Sequence, residues 1–295
     1  MNDKVIITAA LAGAETTRAQ NPAVPYTPEE FAEEARKARN SGASIVHIHV
    51  RDPDTGAPTR ELTKIRTTIQ AVRDRCPDLI INMSTAIVTS GDRSVRIDPI
   101  ISLRPPMASL NTNSMNFALV DWKNGIIKGE TVFENSFSMI IEFNDLMRKA
   151  GIKPEFEIYD MGGLFNVLLL RRQGIFDEPM HFQMVFGTAG GVPYQPSMFS
   201  RILSHLPTGS TYSACGAGPN QFRANITAVV NGGHMRVGLE DSVRMPDGSR
   251  ARGSWEQVEW AVKVAQLTGR TVATGEDAKR ILGLDRSSYG RFDVE

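Results

Sequence analysis

The chain has 295 residues, and its 33 Lys and Arg residues balance its 33 Asp and Glu residues. This balance argues against nucleic acid or an anionic membrane as a partner, because both need a basic surplus on one face. Hydrophobic residues make up 41% of the sequence, which is typical of a globular protein and too high for a disordered one. Two cysteines, Cys76 and Cys215, are too few for a disulfide framework and favour a reducing, cytoplasmic location.

Strands and helices are predicted to alternate along the chain. Eight short apolar or β-branched segments are predicted as strands, at 5–10, 44–50, 79–83, 107–111, 155–160, 181–186, 210–214 and 234–239. Helices are predicted at 28–40, 62–76, 137–150, 163–173, 197–206, 221–231, 255–267 and 278–284. The alternation predicts a parallel sheet, and eight repeats favour an α/β fold of the (β/α)8 TIM barrel type over an open doubly wound sheet.

One domain is predicted over residues 1–295, since the sequence has no linker rich in proline or serine. The apolar run after Lys4 resembles a short secretion signal. Asp3 weakens its basic flank and Thr8 interrupts it, so a buried first strand is favoured. Residues 120–131 are polar and contain glycine, and they are predicted to form a small insertion or hairpin after the fourth strand.

Polar residues and glycines collect where nearly every predicted strand ends. In barrel enzymes the chemistry is placed at the carboxyl ends of the strands, so these residues are candidates for the site. They are Glu15, His47, His49, Ser84, Ser109, Asn111, Glu157, Asp160, the segment 187–191, Ser213, Gly216, Gly218, Glu240 and Asp241.

A His-x-His pair, His47 and His49, lies in the second predicted strand. Side chains alternate along a strand, so both imidazoles point to the same face. Two imidazoles in a packed interior need partners for their nitrogens, and zinc is one such partner. Two hydrogen-bonded structural histidines, or a pair that faces the helices, are the alternatives. The other histidines, His181, His205 and His234, lie at strand starts or in a helix and are not expected at the site.

The last predicted strand ends in Arg236, Glu240 and Asp241, which offer a metal ligand, an acid or base, and a charge partner. A surface salt bridge would also explain this run. Glu157 lies in an otherwise apolar strand, and the alternative to a catalytic role is an internal ion pair with Arg51 or Arg104.

The glycines at 187–191 and 216–218 fit either an anion site or tight turns. Cys215 is interpreted as a small buried residue, because the sequence places no histidine beside it.

Taken together, these motifs give the chain a resemblance to the β-keto acid cleavage enzymes over essentially its whole length. The matching segments are 7–17, 21–30, 47–52, 107–111, 154–157, 236–241, 267–270 and 273–274. The combination of His-x-His with a distant Arg-x-Gly-x-Glu-Asp is specific, whereas neither half is. Departures from the family pattern occur at Pro106, Asn113 and Pro219, and the last replaces a cation that could contact CoA phosphate.

The resemblance implies a zinc-dependent barrel that converts a β-keto acid and acetyl-CoA into acetoacetate and a new acyl-CoA. The implied route is enolate formation, attack on acetyl-CoA and retro-Claisen cleavage. A homo-oligomer, with a tetramer as one form, is also implied. The implied residues are the zinc ligands His47, His49 and Glu240, the catalytic Asp241, Arg236, Glu157, Ser84 and Ser109, and the substrate-binding Glu15 and Asn111.

Two other functions stay open at this point. A zinc-dependent hydrolase of the amidohydrolase type also uses His-x-His on a strand. That class carries the pair on its first strand and needs further histidines and a lysine on later ones. The other function is a non-catalytic barrel that binds a metal or a ligand.

Overall fold

The computed structural model describes residues 3–284, and eight of their strands close into a parallel barrel, as predicted. The strands are β1 (Lys4–Val5), β2 (Ile7–Ala12), β3 (Ile45–Ile48), β4 (Ile80–Met83), β5 (Met107–Asn111), β6 (Met115–Asp121), β7 (Ile126–Phe133), β8 (Lys153–Ile158), β9 (His181–Phe186), β10 (Thr211–Gly216), β11 (His234–Val237) and β12 (Thr271–Val272). The barrel order is β2-β3-β4-β5-β8-β9-β10-β11, and β11 pairs with β2 to close it. The short strands β1 and β12, which were not predicted, pair with each other outside the barrel.

Helices follow the barrel strands and cover them. They are α1 (Pro28–Ser41), α2 (Leu62–Arg75), α3 (Ser94–Leu103), α4 (Phe137–Lys149), α5 (Met161–Arg172), α6 (Pro196–Leu203), α7 (Asn220–Val230), α8 (Ser254–Leu267) and α9 (Gly275–Leu282). Within residues 3–284, none of the helices is both long and apolar enough to cross a membrane.

Local signals explain the ends of most helices. In α1, the Thr27 side chain accepts a hydrogen bond from the Glu30 N–H, and the Glu30 side chain caps the Thr27 N–H in return. Gly42 then ends α1 with a φ of 117°, which glycine adopts without strain. Local composition therefore sets the start and the end of this helix.

Helix α3 was not predicted, because Pro99 lies within it and a buried arginine interrupts its apolar face. Arg96 donates hydrogen bonds to the carbonyls of Thr85 and Glu134 and to Asn135 Oδ1. These partners lie on other elements, so the helix is stabilised by tertiary contacts that a local pattern does not show.

The antiparallel hairpin β6–β7 contains the stretch 120–131. It leans over the carboxyl end of the barrel and meets the loop after β9, where Ala118 forms a β-bridge with Ala189. Gly190 in this loop has a φ of 94°, and a Cβ there would overlap the carbonyl group of Asn116. A glycine is therefore needed where the hairpin rests on the β9 loop.

Gly190→Ala is expected to destabilise the protein by about 3 kcal/mol, since a strained φ and a clash with the backbone add together. Gly174→Ala is the matched control: its φ is 70°, but no atom lies within 4 Å of the added Cβ. It should cost about 1 kcal/mol from backbone strain alone. Urea unfolding of both variants measures the difference. Equal losses would show that the hairpin contact contributes nothing.

Candidate active site

A cavity of about 270 Å³ opens at the carboxyl ends of the barrel strands. Its charged lining consists of Glu15, His49, Glu157, Arg236, Glu240 and Asp241. Three apolar side chains, Phe117, Leu119 and Phe133, reach it from the β6–β7 hairpin. Part of the predicted strand-end set thus shares one concave site with the hairpin, and this is the usual place for the chemistry of a barrel.

His47, His49 and Glu240 form a cluster in which one ligand atom from each lies within 4.8 Å of the others. The Nε2 atoms of the two histidines lie 3.7 Å and 3.4 Å from Glu240 Oε1. Burial lowers the pKa of His47 to about 3, so its imidazole is neutral and can offer a lone pair. Gly13 leaves room for the carboxylate, because a Cβ there would lie 2.6 Å from Glu240 Cγ.

Arg236 joins the three acidic groups of the cavity. It donates from Nη2 to Glu240 Oε1 at 2.6 Å, and from Nε and Nη2 to the two oxygens of Asp241 at 3.0 Å each. Its Nη1 lies 3.7 Å from Glu157 Oε1. Asn225 fixes the backbone of Arg236, with bonds of 2.8 Å to its N–H and 2.7 Å to its carbonyl. One buried guanidinium therefore holds three carboxylates in one arrangement.

The same contacts separate the pKa values of the three acids. Burial raises the pKa of Glu240, but Arg236 and the two histidines outweigh it and hold that pKa well below its ordinary value. Burial raises the pKa of Asp241 to about 6 and that of Glu157 to about 7, against the opposing effect of Arg236. The Tyr159 hydroxyl donates to Glu157 Oε2 at 3.0 Å. Groups that titrate near neutral pH are suited to proton transfer.

The predicted partners of Glu157 were wrong. Its ion-pair partner is Arg236, which comes from a strand far away in the sequence. Arg51 instead donates to the carbonyls of Gly13 and Gly56 and holds the β2 and β3 loops together. Arg104 caps the end of α3 in a left-handed conformation. The barrel brings Arg236 to Glu157 across its interior, and no local pattern in the sequence shows this contact.

Glu157→Gln is expected to flatten the pH dependence of stability. The folded protein keeps the Glu157 proton up to a pKa of about 7, whereas the unfolded chain loses it near 4.5. Between these values the folded state binds more protons, so stability falls as the pH rises. The contribution of Glu157 to this fall is roughly 3 kcal/mol and should be absent in the variant, while the smaller contribution of Asp241, whose pKa is also raised, remains. Urea unfolding from pH 5 to 8 tests this, and Glu142→Gln, which changes an exposed residue of α4, should keep the wild-type slope.

Ser84 and Glu15 line the cavity as predicted candidates, while Ser109 and Asn111 lie beneath it. Ser109 Oγ accepts from the Thr85 N–H at 3.1 Å, and Asn111 Nδ2 donates to Thr85 Oγ1 at 3.3 Å. Ser109 and Asn111 thus contact the residue beside Ser84 rather than the cavity. The direct substrate role of Asn111 stays a prediction.

The glycine segments are explained by close packing. Gly187 donates to the Val192 carbonyl at 2.9 Å, and Gly218 donates to the Asp241 carbonyl at 2.7 Å. A Cβ on Gly216 would lie 2.6 Å from the backbone of Asn220. These glycines join neighbouring loops, so their presence does not require an anion. Cys215 is buried as predicted, although it also lines the cavity, and burial raises the pKa of its thiol.

Sequence reasoning missed a buried polar layer under the cavity. Asn82 donates to Glu155 Oε1 at 2.6 Å across the barrel, and Glu155 Oε2 lies 3.5 Å from His181 Nε2. Glu155 is two residues before Glu157 on the same strand, and this period could have placed both side chains in the interior. The sequence analysis also missed Tyr159 and the three hairpin residues that line the cavity, because nothing in their local pattern indicates a cavity.

The three departures from the family pattern lie outside the cavity lining. The Pro106 carbonyl accepts from the Lys153 N–H at 3.0 Å, and Asn113 Nδ2 donates to Asp160 Oδ2 at 3.0 Å. Pro219 precedes the first residue of α7. Each has a local structural contact or position, and none reaches the carboxylates around Arg236.

Known proteins resemble the chain at the level of family and of fold. A family model described as beta-keto acid cleavage enzyme matches residues 4–284. The 3-keto-5-aminohexanoate cleavage enzyme of Acetoanaerobium sticklandii is 38% identical, over 96% of this chain and 100% of that protein. The 3-dehydrocarnitine:acetyl-CoA trimethylamine transferase of Rhizobium meliloti is 31% identical, over 97% of this chain and 98% of that protein.

Among solved structures, the apo structure of ObcA superposes with a TM-score of 0.73 at 22% identity. The match covers 89% of this chain and 66% of ObcA, so this chain spans slightly less than two thirds of ObcA. At this identity the likeness concerns the barrel fold.

Proposed function

Because the chain belongs to the β-keto acid cleavage enzyme family, we propose that it converts a β-keto acid and acetyl-CoA into acetoacetate and a new acyl-CoA. The observation that carries this proposal is the placement of Asp241, held by Arg236, beside the His47, His49 and Glu240 cluster in one cavity. The acetyl-CoA named in the Rhizobium meliloti relative supports the co-substrate.

The residues present fit a zinc ion. Two imidazoles and a carboxylate are a common set of catalytic zinc ligands, and they leave a fourth position open. Within residues 3–284, Glu240 Oε2 is buried without a hydrogen-bond partner and three carboxylates share one arginine, so a cation would complete the charge balance. When bound, zinc would supply Lewis-acid polarisation of the substrate oxygens. His47, His49 and Glu240 would hold it.

Asp241 is proposed as the base of the first step. Its carboxylate takes a proton from the carbon between the keto and carboxylate groups of the substrate. The two hydrogen bonds from Arg236 keep one oxygen edge of Asp241 fixed and orient the other lone pairs. Its pKa of about 6 leaves it mostly ionised at neutral pH while it stays basic enough to accept a proton.

The carbanion then forms a bond to the thioester carbon of acetyl-CoA, and the CoA thiolate leaves. That thiolate attacks the original keto carbon, and the bond from this carbon to its neighbour breaks. The acyl-CoA departs, and the new acetoacetate carbanion takes back the proton from Asp241. Glu157 with Tyr159 lies on the other side of Arg236 and is proposed to donate a hydrogen bond to the oxygen that gains charge.

The remaining predicted residues are assigned by their positions. Ser84 lines the cavity and is proposed to hold the substrate through its hydroxyl. Ser109 and Asn111 act through Thr85 as positioning residues for the loop that carries Ser84. Glu15 is exposed at the cavity and is proposed to face the variable end of the substrate.

A substrate panel tests the proposed function. Metal-loaded protein is incubated with acetyl-CoA and β-keto acids that have cationic, neutral or anionic side chains, and acetoacetate is measured. We expect acetoacetate and a matching acyl-CoA in equal amounts from at least one substrate. Release of free acid without acyl-CoA would indicate a hydrolase instead. No turnover with any substrate would leave the non-catalytic metal-binding barrel as the better hypothesis.

We also propose a cytoplasmic homo-oligomer, with a tetramer as the expected form. The β6–β7 hairpin supports association, because Trp122, Ile126 and Ile127 on it are between 54% and 70% exposed. Sedimentation equilibrium measures the number of subunits.

A further inference from the structure

We propose that three arginines beside the cavity, Arg223, Arg244 and Arg250, bind the phosphate groups of acetyl-CoA. We call them the basic rim. This inference rests on the proposed function for the identity of the ligand, and on the structure for the position of the arginines.

The basic rim lies on the loop between β11 and α8 and on the start of α7, and both adjoin the cavity residue Asp241. Arg244 and Arg250 face each other across the loop between β11 and α8, where they form an antiparallel β-bridge. Arg244 follows the cavity residue Asp241 by three positions, so their Cα atoms are at most about 10 Å apart. The Gly218 N–H donates to the Asp241 carbonyl at 2.7 Å and joins this loop to the one before α7, whose first turns carry Arg223.

The charges of the basic rim are not neutralised within the described residues. Arg223 and Arg250 are exposed, and neither guanidinium has a hydrogen bond or an ion pair with residues 3–284. Arg244 Nη1 donates only to the Gly248 carbonyl, a neutral group of its own loop. Arg252 on the same loop differs, because it pairs with Glu256 and lies over the Trp255 ring.

This arrangement is unfavourable without an anion. Like charges directly opposite each other on paired strands repel, and this applies to Arg244 and Arg250. A cation near the N-terminus of a helix opposes the helix dipole, and this applies to Arg223. The chain as a whole is neutral, so the excess positive charge is local. A ligand with several phosphate groups would relieve both costs.

The cavity itself disfavours phosphate groups. Glu15, Glu157, Glu240 and Asp241 line it, and they repel phosphate. A CoA thioester has its phosphates at one end and a long neutral arm that ends in the thioester. The acidic cavity accepts the neutral arm, and the basic rim holds the phosphates outside. The negative charge of the cavity and the positive charge of the basic rim therefore fix the direction in which the co-substrate enters.

The test compares acetyl-CoA with acetyl-pantetheine, which carries the same thioester without the phosphates. In Arg244→Ala/Arg250→Ala and in Arg223→Ala, the KM for acetyl-CoA should rise about tenfold for each arginine removed, with kcat unchanged. The KM for acetyl-pantetheine should stay at the wild-type value. Arg172→Ala is the matched control. Arg172 is an exposed residue at the end of α5 that does not line the cavity, and its guanidinium has no hydrogen bond or ion pair within residues 3–284.

Three outcomes would overturn the inference: unchanged KM for acetyl-CoA in the rim variants, an equal rise for both thioesters, or an equal rise in Arg172→Ala. A second measurement does not depend on turnover. Calorimetry with adenosine 3′,5′-bisphosphate should show binding to wild-type protein and to Arg172→Ala, and at least tenfold weaker binding to the rim variants. If wild-type protein binds this probe but forms no acetoacetate with any substrate, the proposed function fails and the phosphate site stands.

Discussion

Replacing Arg236 with leucine is expected to abolish activity and to cost about 3–5 kcal/mol of stability. The substitution removes the only guanidinium that contacts Glu157, Glu240 and Asp241 within residues 3–284. Removing one partner of a buried ion pair leaves uncompensated charge, which is the costly case. Because the remaining carboxylates can take up protons, the loss of stability should grow as the pH rises from 5 to 8.

Two further variants separate the effect of charge from that of packing. Arg236→Lys keeps a cation but cannot make the paired contact with Asp241, so it should recover part of the stability and little of the activity. In Arg236→Leu/Asp241→Leu the stability should partly return, since the double variant removes one unpaired acid. Urea unfolding measures the stability of each variant, and initial rates measure its activity. If Arg236→Leu kept wild-type stability at pH 8, this result would contradict the buried ion-pair network.

The second large effect is expected from the proposed zinc ligands His47, His49 and Glu240. His47→Ala should reduce bound zinc from about one ion per chain to a trace, and should lower kcat/KM by at least about thousandfold. Three ligand atoms from protein side chains are the usual minimum of a catalytic zinc site, and the variant leaves two. His47→Gln, which keeps more of the buried volume, should show the same loss of metal with a smaller effect on folding.

His205→Ala is the control for this variant. His205 bonds to Ser204 and to the Arg201 carbonyl on α6, away from the cluster. The zinc content of His205→Ala should stay at the wild-type value. Added zinc should raise the melting temperature of the wild type and of His205→Ala, and not that of His47→Ala. Unchanged zinc content in His47→Ala would refute the ligand assignment.

Local patterns in the sequence predicted the barrel strands well, because a buried parallel strand is a short apolar run between turn signals. They also located His47 and His49 on one face, since alternation along a strand depends only on the local backbone. The last predicted strand also offered an acid and a charge partner, and in the structure Arg236 donates two hydrogen bonds to Asp241.

Contacts between distant segments could not be predicted in the same way. The Glu157 partner was wrong because closure of the barrel, and not sequence spacing, brings Arg236 to it. Helix α3 was missed because Arg96 is buried by three acceptors from other elements. The cavity residues Phe117, Leu119 and Phe133 were missed because the sequence of a predicted insertion does not show which part of the barrel it contacts.

The hydrogen bond from Asn82 to Glu155 has a consequence for how this barrel can evolve. The bond crosses the interior between strands that are not neighbours, and His181 approaches the same carboxylate from a third strand. Losing Glu155 removes this partner from both Asn82 and His181, and losing either of those residues removes a partner from the buried Glu155 carboxylate. Single substitutions are therefore selected against, while a joint exchange of all three for apolar residues is tolerated. In a collection of related sequences, positions 82, 155 and 181 should change together.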